Sequence, residues 1–583
     1  MLFRFPLLIL TLAVLAPEAL VTGARAQTSL GPLELSGSVT ASGEAYGASG
    51  IEARRPGLLG RVGANARFSL FGIGTRLSLS LSSDEGTEFR QDLDRIRLAT
   101  RWSWGGAELG DVSPTLSPYV LSGLTPRGGL LQLRRSGIEV LAGGGRTRQA
   151  ESGITAEGNA ASGAGLQAYE QYLWAGRVRV GNPSGTFGGL SLAVARDVAG
   201  SLDEFGLDAE DFLLRPRASA TLAPEAGVSL LDGAIRLRGL AATSAFTPDL
   251  DAASGDGEIP GYLRPLAVSR AGAFAQNAYE ADLFADLAAL GLASDLGLAL
   301  DASYSRVAPG YRTLGAPRLR DDEATFRLRP RATMLEGRLA LTGDFSRTAT
   351  NLSDQEIASG ERLGFGGTVL ARPTEWLSLT AAYNGLRNER EAGVFGSGPQ
   401  ATPDPGLLQT TQTVTLAPTL SLRRESGLTH TATLATTLVR SRDRSADVLD
   451  GTRPGAEADN ASGAASYAFA APSGLTLTAT ADAARSALGE NSSLRTGLTL
   501  GAGQAFLERA LNLAASAGVA RTTADYAVGS FTQTHFTGTL TGTYRLASGD
   551  ALRLQVTGFT SAADAGAPSF QEVRARVAYS RRF

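Results

Sequence analysis

The 583-residue sequence has no cysteine, no lysine and only two histidines, His430 and His535. Without cysteine there is no disulfide framework, thiol nucleophile or cysteine-based zinc cluster. All 54 basic residues are therefore arginine. Against 57 acidic residues they leave a net charge of -3, which offers no basic footprint for nucleic acid. The histidines sit far apart, in "LTHTATL" and "TQTHFTG", and no GxSxG elbow occurs. A nucleophile with an adjacent base is not legible, so no enzyme is expected. Acidic runs such as "GDGE" (255–258) lack EF-hand spacing, and no phosphate loop is present, so neither metal nor cofactor is expected. After residue 27 no apolar run approaches the roughly eighteen residues of a transmembrane helix.

What the chain does have is alternation. "TRLSLSLSS" sets Leu77, Leu79 and Leu81 against Ser78, Ser80 and Ser82; "RIRLATRWSW" sets Ile96, Leu98 and Trp102 against Arg95, Arg97 and Arg101. "YLWAGRVRVG" opposes Trp174, Val178 and Val180 to Arg177 and Arg179. Period two places alternate side chains on opposite faces of a strand. With 71 glycines punctuating many such segments, the composition is that of a large all-β chain of short-turned antiparallel strands. At the N-terminus Arg4, an apolar run from Leu7 to Ala16 and the tripeptide Ala24-Arg25-Ala26 have the form of a signal peptide over 1–26. The mature chain is then expected to leave the cytoplasm and enter the periplasm.

The links between alternating segments also take turns in length. Short ones (372–375, 423–427, 471–474, 546–550) alternate with long ones (246–270, 348–361, 387–406, 441–460). Outer-membrane barrels segregate short periplasmic turns from long outer loops in this way. The last residues strengthen the reading. Val573, Ala575, Val577, Tyr579 and Phe583 share one parity, with Arg581 the one charged intruder, while Glu572, Arg574, Arg576 and Arg582 share the other. This pattern resembles the C-terminal recognition signature of bacterial outer-membrane β-barrel proteins. The resemblance implies recognition by the barrel-assembly machinery and insertion among outer-membrane lipids and lipopolysaccharide. Both termini at the short-turn side require an even strand number. Seven strands are expected upstream of residue 167 (33–47, 61–70, 75–83, 93–104, 107–121, 127–135 and 137–148) and nineteen after it. The expected fold is thus a single large antiparallel transmembrane β-barrel over 27–583, of about 26 strands with a range of 22–26.

One stretch breaks the pattern. "LGDVSPTLSPYVLSGLTPRGG" (109–129) carries Pro114, Pro118 and Pro126, which cannot donate to a central ladder. Either it is an irregular loop, or it folds inward and constricts the lumen, with Asp111, Pro114, Pro118 and Arg127 as the candidate constriction. Its Gly-Asp followed by Arg-Gly-Gly and a strand resembles a motif of usher barrels and large secretion-type barrels. Arg95, Arg97, Arg177, Arg179, Arg236, Arg238, Arg574 and Arg576 lie opposite apolar residues and would line the lumen. Charge at mid-membrane on the lipid face would cost roughly 2–4 kcal/mol. These arginines are either a structural mesh, solvated and paired across strands, or an anion-favouring lining; the expected activity is porin-like, passive or semi-selective passage of solutes. A secretion or assembly conduit and a closed surface-display barrel are the alternatives.

Overall fold

A computed structural model describes residues 28–583 apart from 31–32, 72, 84–94, 115, 152–167, 206–213, 256, 293–295, 355–357, 392, 396–401, 405, 446–456, 528, 547–548 and 565–568. The signal peptide expected over 1–26 lies outside the described residues. Alternation becomes strand throughout. In chain order the strands are β1 Leu33–Ser49, β2 Leu58–Leu70, β3 Ile73–Ser82, β4 Arg95–Trp102, β5 Gly105–Asp111, β6 Arg127–Arg135 and β7 Ile138–Arg148. There follow β8 Gln171–Gly181, β9 Phe187–Asp197, β10 Ala218–Leu230, β11 Ile235–Thr247, β12 Phe274–Asp286 and β13 Gly297–Val307. Next come β14 Glu323–Met334, β15 Leu339–Thr350, β16 Gly360–Thr374, β17 Leu377–Arg390, β18 Leu407–Arg423 and β19 Thr429–Asp443. The last are β20 Ala458–Ala470, β21 Thr476–Leu488, β22 Asn491–Phe506, β23 Leu511–Tyr526, β24 Gly529–Arg545, β25 Ala551–Ala563 and β26 Phe570–Arg582.

Each strand pairs antiparallel with the next, and β26 returns to β1 in the register Ser38↔Arg582 to Ser49↔Gln571. The sheet is a closed barrel of 26 strands, so no open edge is left with unpaired backbone groups. Closure reaches the last residue. Gly37 N–H donates to the Phe583 carbonyl at 2.7 Å, and Phe583 N–H donates back at 3.1 Å. Arg581, the charged intruder on the apolar parity, sits 3.8 Å from Asp550 in the last short turn, whose other oxygen accepts from the Tyr579 hydroxyl at 2.9 Å. A short strand, Thr28–Leu30, hairpins onto β1, and Gly393–Phe395 pairs with Thr402–Asp404 in the link after β17.

Two corrections accompany this agreement. The expected strand over 107–121 is instead β5, ending at Asp111; the chain from 112 to 126 leaves the ladder because Pro114 and Pro118 have no N–H to offer it. The segregation of links by length is also incomplete. The rim with the long links carries two of only two residues, 489–490 and 527–528, and the opposite rim carries one of ten, 287–296. Turns at the short-turn rim repeat a local solution: Leu231-Asp232 and Leu335-Glu336 each take positive φ and are followed by a positive-φ glycine.

The two faces of the wall differ as the alternation requires. Trp174, Val178 and Val180, with Leu77 and Leu81, Leu434 and Leu438, Leu498 and Leu500, and Leu552 and Leu554, project from the outer face and are exposed. A belt of exposed Leu, Val, Phe and Tyr around a closed sheet is the surface that hydrocarbon accepts. The inner face carries Arg, Glu, Ser and Thr.

Candidate functional site

The lumen is built asymmetrically. Over β7–β13 the inner face, mostly in the half nearest the long-link rim, carries an apolar patch: Leu141, Leu173, Ala175, Ala193, Ala195, Ala223, Leu240, Ala242, Ala278 and Val307 are all buried. The 112–126 segment covers this patch from inside the barrel, setting Leu116, Tyr119, Val120 and Leu121 against it. Val112 and Val120 are fully buried. Pro114 is buried and Pro118 exposed, so the first packs and the second does not.

A second link, 308–322, locks the first in place. Its Tyr311 hydroxyl donates to the Tyr119 carbonyl at 2.9 Å, and Ser122 N–H donates to the Gly315 carbonyl at 3.0 Å. Thr313 accepts from Thr221 at 3.0 Å, Ser244 donates to the Arg312 carbonyl at 2.7 Å, and Leu314 N–H donates to Ser219 at 2.9 Å. The link is thereby fastened to β10 and β11 on one side and to 112–126 on the other. A Cβ at Gly315 would overlap the Val120 carbonyl oxygen, so the two backbones are in direct contact there. Burial pushes both the Tyr119 and Tyr311 hydroxyls above the usual phenol range, with Glu280 adding to the effect at Tyr119. Both phenols stay protonated and remain hydrogen-bond donors.

Asp111 and Arg127 hold the neck of the segment. They face each other across β5–β6, with Arg127 Nε 3.0 Å from Asp111 Oδ1, and the second carboxylate oxygen accepts Ile96 N–H at 3.1 Å. Val112 N–H donates to the Pro126 carbonyl at 2.9 Å, which closes the loop at its base.

Below the apolar patch, toward the short-turn rim, the inner face turns to arginine and carboxylate. Arg177 and Arg134 share Glu139 at 2.5 and 2.6 Å. Arg179 and Arg238 share Glu225 at 2.7 and 3.3 Å. Elsewhere around the inner face, on strands outside this region and not confined to the short-turn half, Arg97 meets Glu108 at 2.5 Å, Arg574 meets Glu44 at 2.6 Å, and Arg329 meets Asp344 at 2.7 Å. Arg236 lies 4.1 Å over the Phe284 ring instead. Arg95 stands opposite Ser80, and Arg576 opposite both Glu44 and Gln555. Near the other rim, Asp197 is fully buried between Arg148 at 3.0 Å and Arg217 at 3.6 Å, with Gln171 donating at 2.7 Å. Most of the arginines chosen from alternation therefore sit in a cross-strand mesh, with carboxylates that the sequence pattern did not single out.

The far wall is different. Thr476, Thr478, Arg495, Thr499 and Ser516, on the inner face of β21–β23, are exposed, so this side of the lumen is solvent. The two histidines lie on opposite faces. His430 bonds the Tyr467 hydroxyl at 2.8 Å on the outer face, and His535 stacks on Phe559 inside. Among the described residues no group of three or more His, Asp or Glu is placed to hold a metal ion.

No family model matches the chain, and no curated protein matches it. Among solved structures it is similar to the translocation pore of the P pilus usher PapC, at 11% identity and a TM-score of 0.31, covering 94% of this chain and 99% of that one. It is also similar to BauA, the ferric preacinetobactin receptor of Acinetobacter baumannii, at 11% identity and a TM-score of 0.40, covering 94% and 80%. OccK9 (OpdG) of Pseudomonas aeruginosa matches at 12% identity and a TM-score of 0.27, covering 63% and 92%.

Proposed function

We propose that this chain is an outer-membrane pore for passive passage of small solutes, narrowed on one side by 112–126 and 308–322. The observation that carries the reading is the contrast within the closed barrel. Its outside is an apolar belt, and its inside is a polar wall with one side covered and the other open to solvent. A bilayer accepts such a wall only when closed, and irregular backbone at membrane depth is tolerated only where it is buried in protein or lines a water-filled cavity. The inserted segments satisfy that condition, because their backbone groups bond the wall and one another. The leader-like N-terminus and the terminal alternation support the outer membrane as the compartment, with short turns toward the periplasm and long links outside.

Purified chain in a planar bilayer tests this directly. Steady stepwise conductance, with a modest preference for anions that weakens as salt rises, is expected. A barrel that is correctly folded by heat-modifiability yet never conducts would overturn the reading.

A further inference from the structure

The paired arginines make an unpaired group conspicuous. On the inner face of β2–β4, just inside the short-turn rim, Arg67, Arg76, Arg97 and Arg101 line a cavity of about 480 Å³ together with Ser36, Ser69 and Ser78. Arg67 stands directly opposite Arg76 across β2–β3. On the neighbouring strand Arg97 stands opposite Ser78 and Arg101 opposite Gly74. Only Arg97 has a carboxylate, Glu108. Arg67, Arg76 and Arg101 make no ion pair among the described residues. Glu34, which the register places opposite Ser69, would still leave three arginines to one carboxylate.

Like charges directly opposite on a sheet are destabilising. Elsewhere this wall resolves such crowding with carboxylates: two arginines share Glu139, two share Glu225, and Asp197 is held between two more. Here the chain provides cavity, hydroxyls and guanidinium forks, with Glu108 the only carboxylate paired to any of the four arginines among the described residues. We infer that this pocket binds a small multivalent oxyanion, of the size and charge of a phosphate or pyrophosphate group, at the short-turn mouth of the lumen. Guanidinium forks match such oxygens bidentately, and the serine hydroxyls supply further donors. The inference rests on the pore reading only for how an anion arrives; the site itself is a property of β2–β4.

Pyrophosphate titrated calorimetrically into the purified full-length chain in detergent, at low salt, tests it. Saturable binding of one equivalent is expected. Arg76→Gln should weaken it by about tenfold or more, as loss of a charge-assisted bidentate contact does. Arg424→Gln, the same charge change in a distant short turn, should leave it unaltered. If Arg76→Gln does not assemble, Arg76→Lys keeps the charge and loses the fork, and it too should bind more weakly. Absence of saturable binding by the wild type, or equal affinity in the wild type and the Arg76 variant, overturns the site. Binding without conductance retires the pore and leaves the site; conductance without binding does the reverse.

Discussion

Gly315→Ala is the smallest change that reaches the candidate constriction. It adds one methyl group where the backbones of 308–322 and 112–126 touch, and that methyl would overlap the Val120 carbonyl oxygen. The neighbour is main chain, so no rotamer change relieves the overlap. Val120 is fully buried and Leu121 nearly so, so the segment cannot back away without losing its packing on Leu173 and Leu240. Overpacking of this kind costs about 1–3 kcal/mol. In a two-state balance between a docked and an undocked segment, that shifts the ratio by a factor of about 5–150. The barrel wall is untouched, because the strands keep their ladders whether or not the segment is docked.

Single-channel recording separates the possibilities. The wild type should hold one main level with rare excursions above it. The Gly315→Ala pore should spend much longer at the higher level, and a chain lacking 112–124 should stay there. Heat-modifiability should be unchanged in all three, since it reports the closed wall. Equal conductance and equal dwell times in the three pores would refute the reasoning and leave 112–126 as a lining of the wall with no effect on flow.

Two further outcomes follow from the seam and from the buried acid. Gly37→Ala would place a methyl 2.5 Å from the Asn65 carbonyl oxygen and 2.7 Å from the Phe583 ring. Strained closure between β1 and β26 should lower the urea midpoint of the folded band on gels, whereas Gly43→Ala, with open space at its Cβ, should not. Asp197→Asn removes the charge that Arg148 and Arg217 share at a fully buried site. Breaking such a group costs about 3–5 kcal/mol, so its urea midpoint should fall well below that of Asp344→Asn, whose ion pair with Arg329 is exposed.

Much of the fold was legible because alternation reports a local property. A strand that faces lipid on one side and water on the other writes that contrast into every second residue, and the closing strand showed it as clearly as any. The strand number came out right because each turn signal is also local. The misread stretch, 107–121, failed where the local rule changed: once the chain leaves the ladder at Asp111, apolar residues report contact with the inner wall and with another link. The carboxylate partners were invisible for a different reason. Glu139 serves Arg177 from the next strand, and Glu225 serves Arg179 from the strand after the next one, so both depend on register, which a single strand does not encode. The role of 308–322 was missed as well. A signal for it exists in "YLWA": Leu173, Trp174 and Ala175 are apolar on both parities, which means that the inner face is covered there.

That loss of alternation also explains why the covering segments sit where they do. A lumen filled with water would disfavour Leu173, Leu240 and Phe246 on its wall, and an inserted segment would find little to hold it on a wall of arginine. Buried apolar inner residues clustered on β7–β13, mostly in the long-link half, give 112–126 a place to dock and a face to bury. Toward the short-turn rim the wall keeps its charges, most of them tied in pairs that cost little and attract little. On the pore reading proposed above, passage should be restricted by size near one mouth and by charge near the other, where Arg67, Arg76 and Arg101 make no ion pair among the described residues. The two restrictions answer to different physics. Packing of a loop on Leu and Ala is indifferent to ionic strength, whereas attraction to unpaired guanidinium groups fades over a Debye length that shrinks to about 3 Å at 1 M salt. Salt should therefore discriminate between them: raising it in planar-bilayer recordings should alter the charge preference of the proposed pore and leave the largest solute that it admits unchanged.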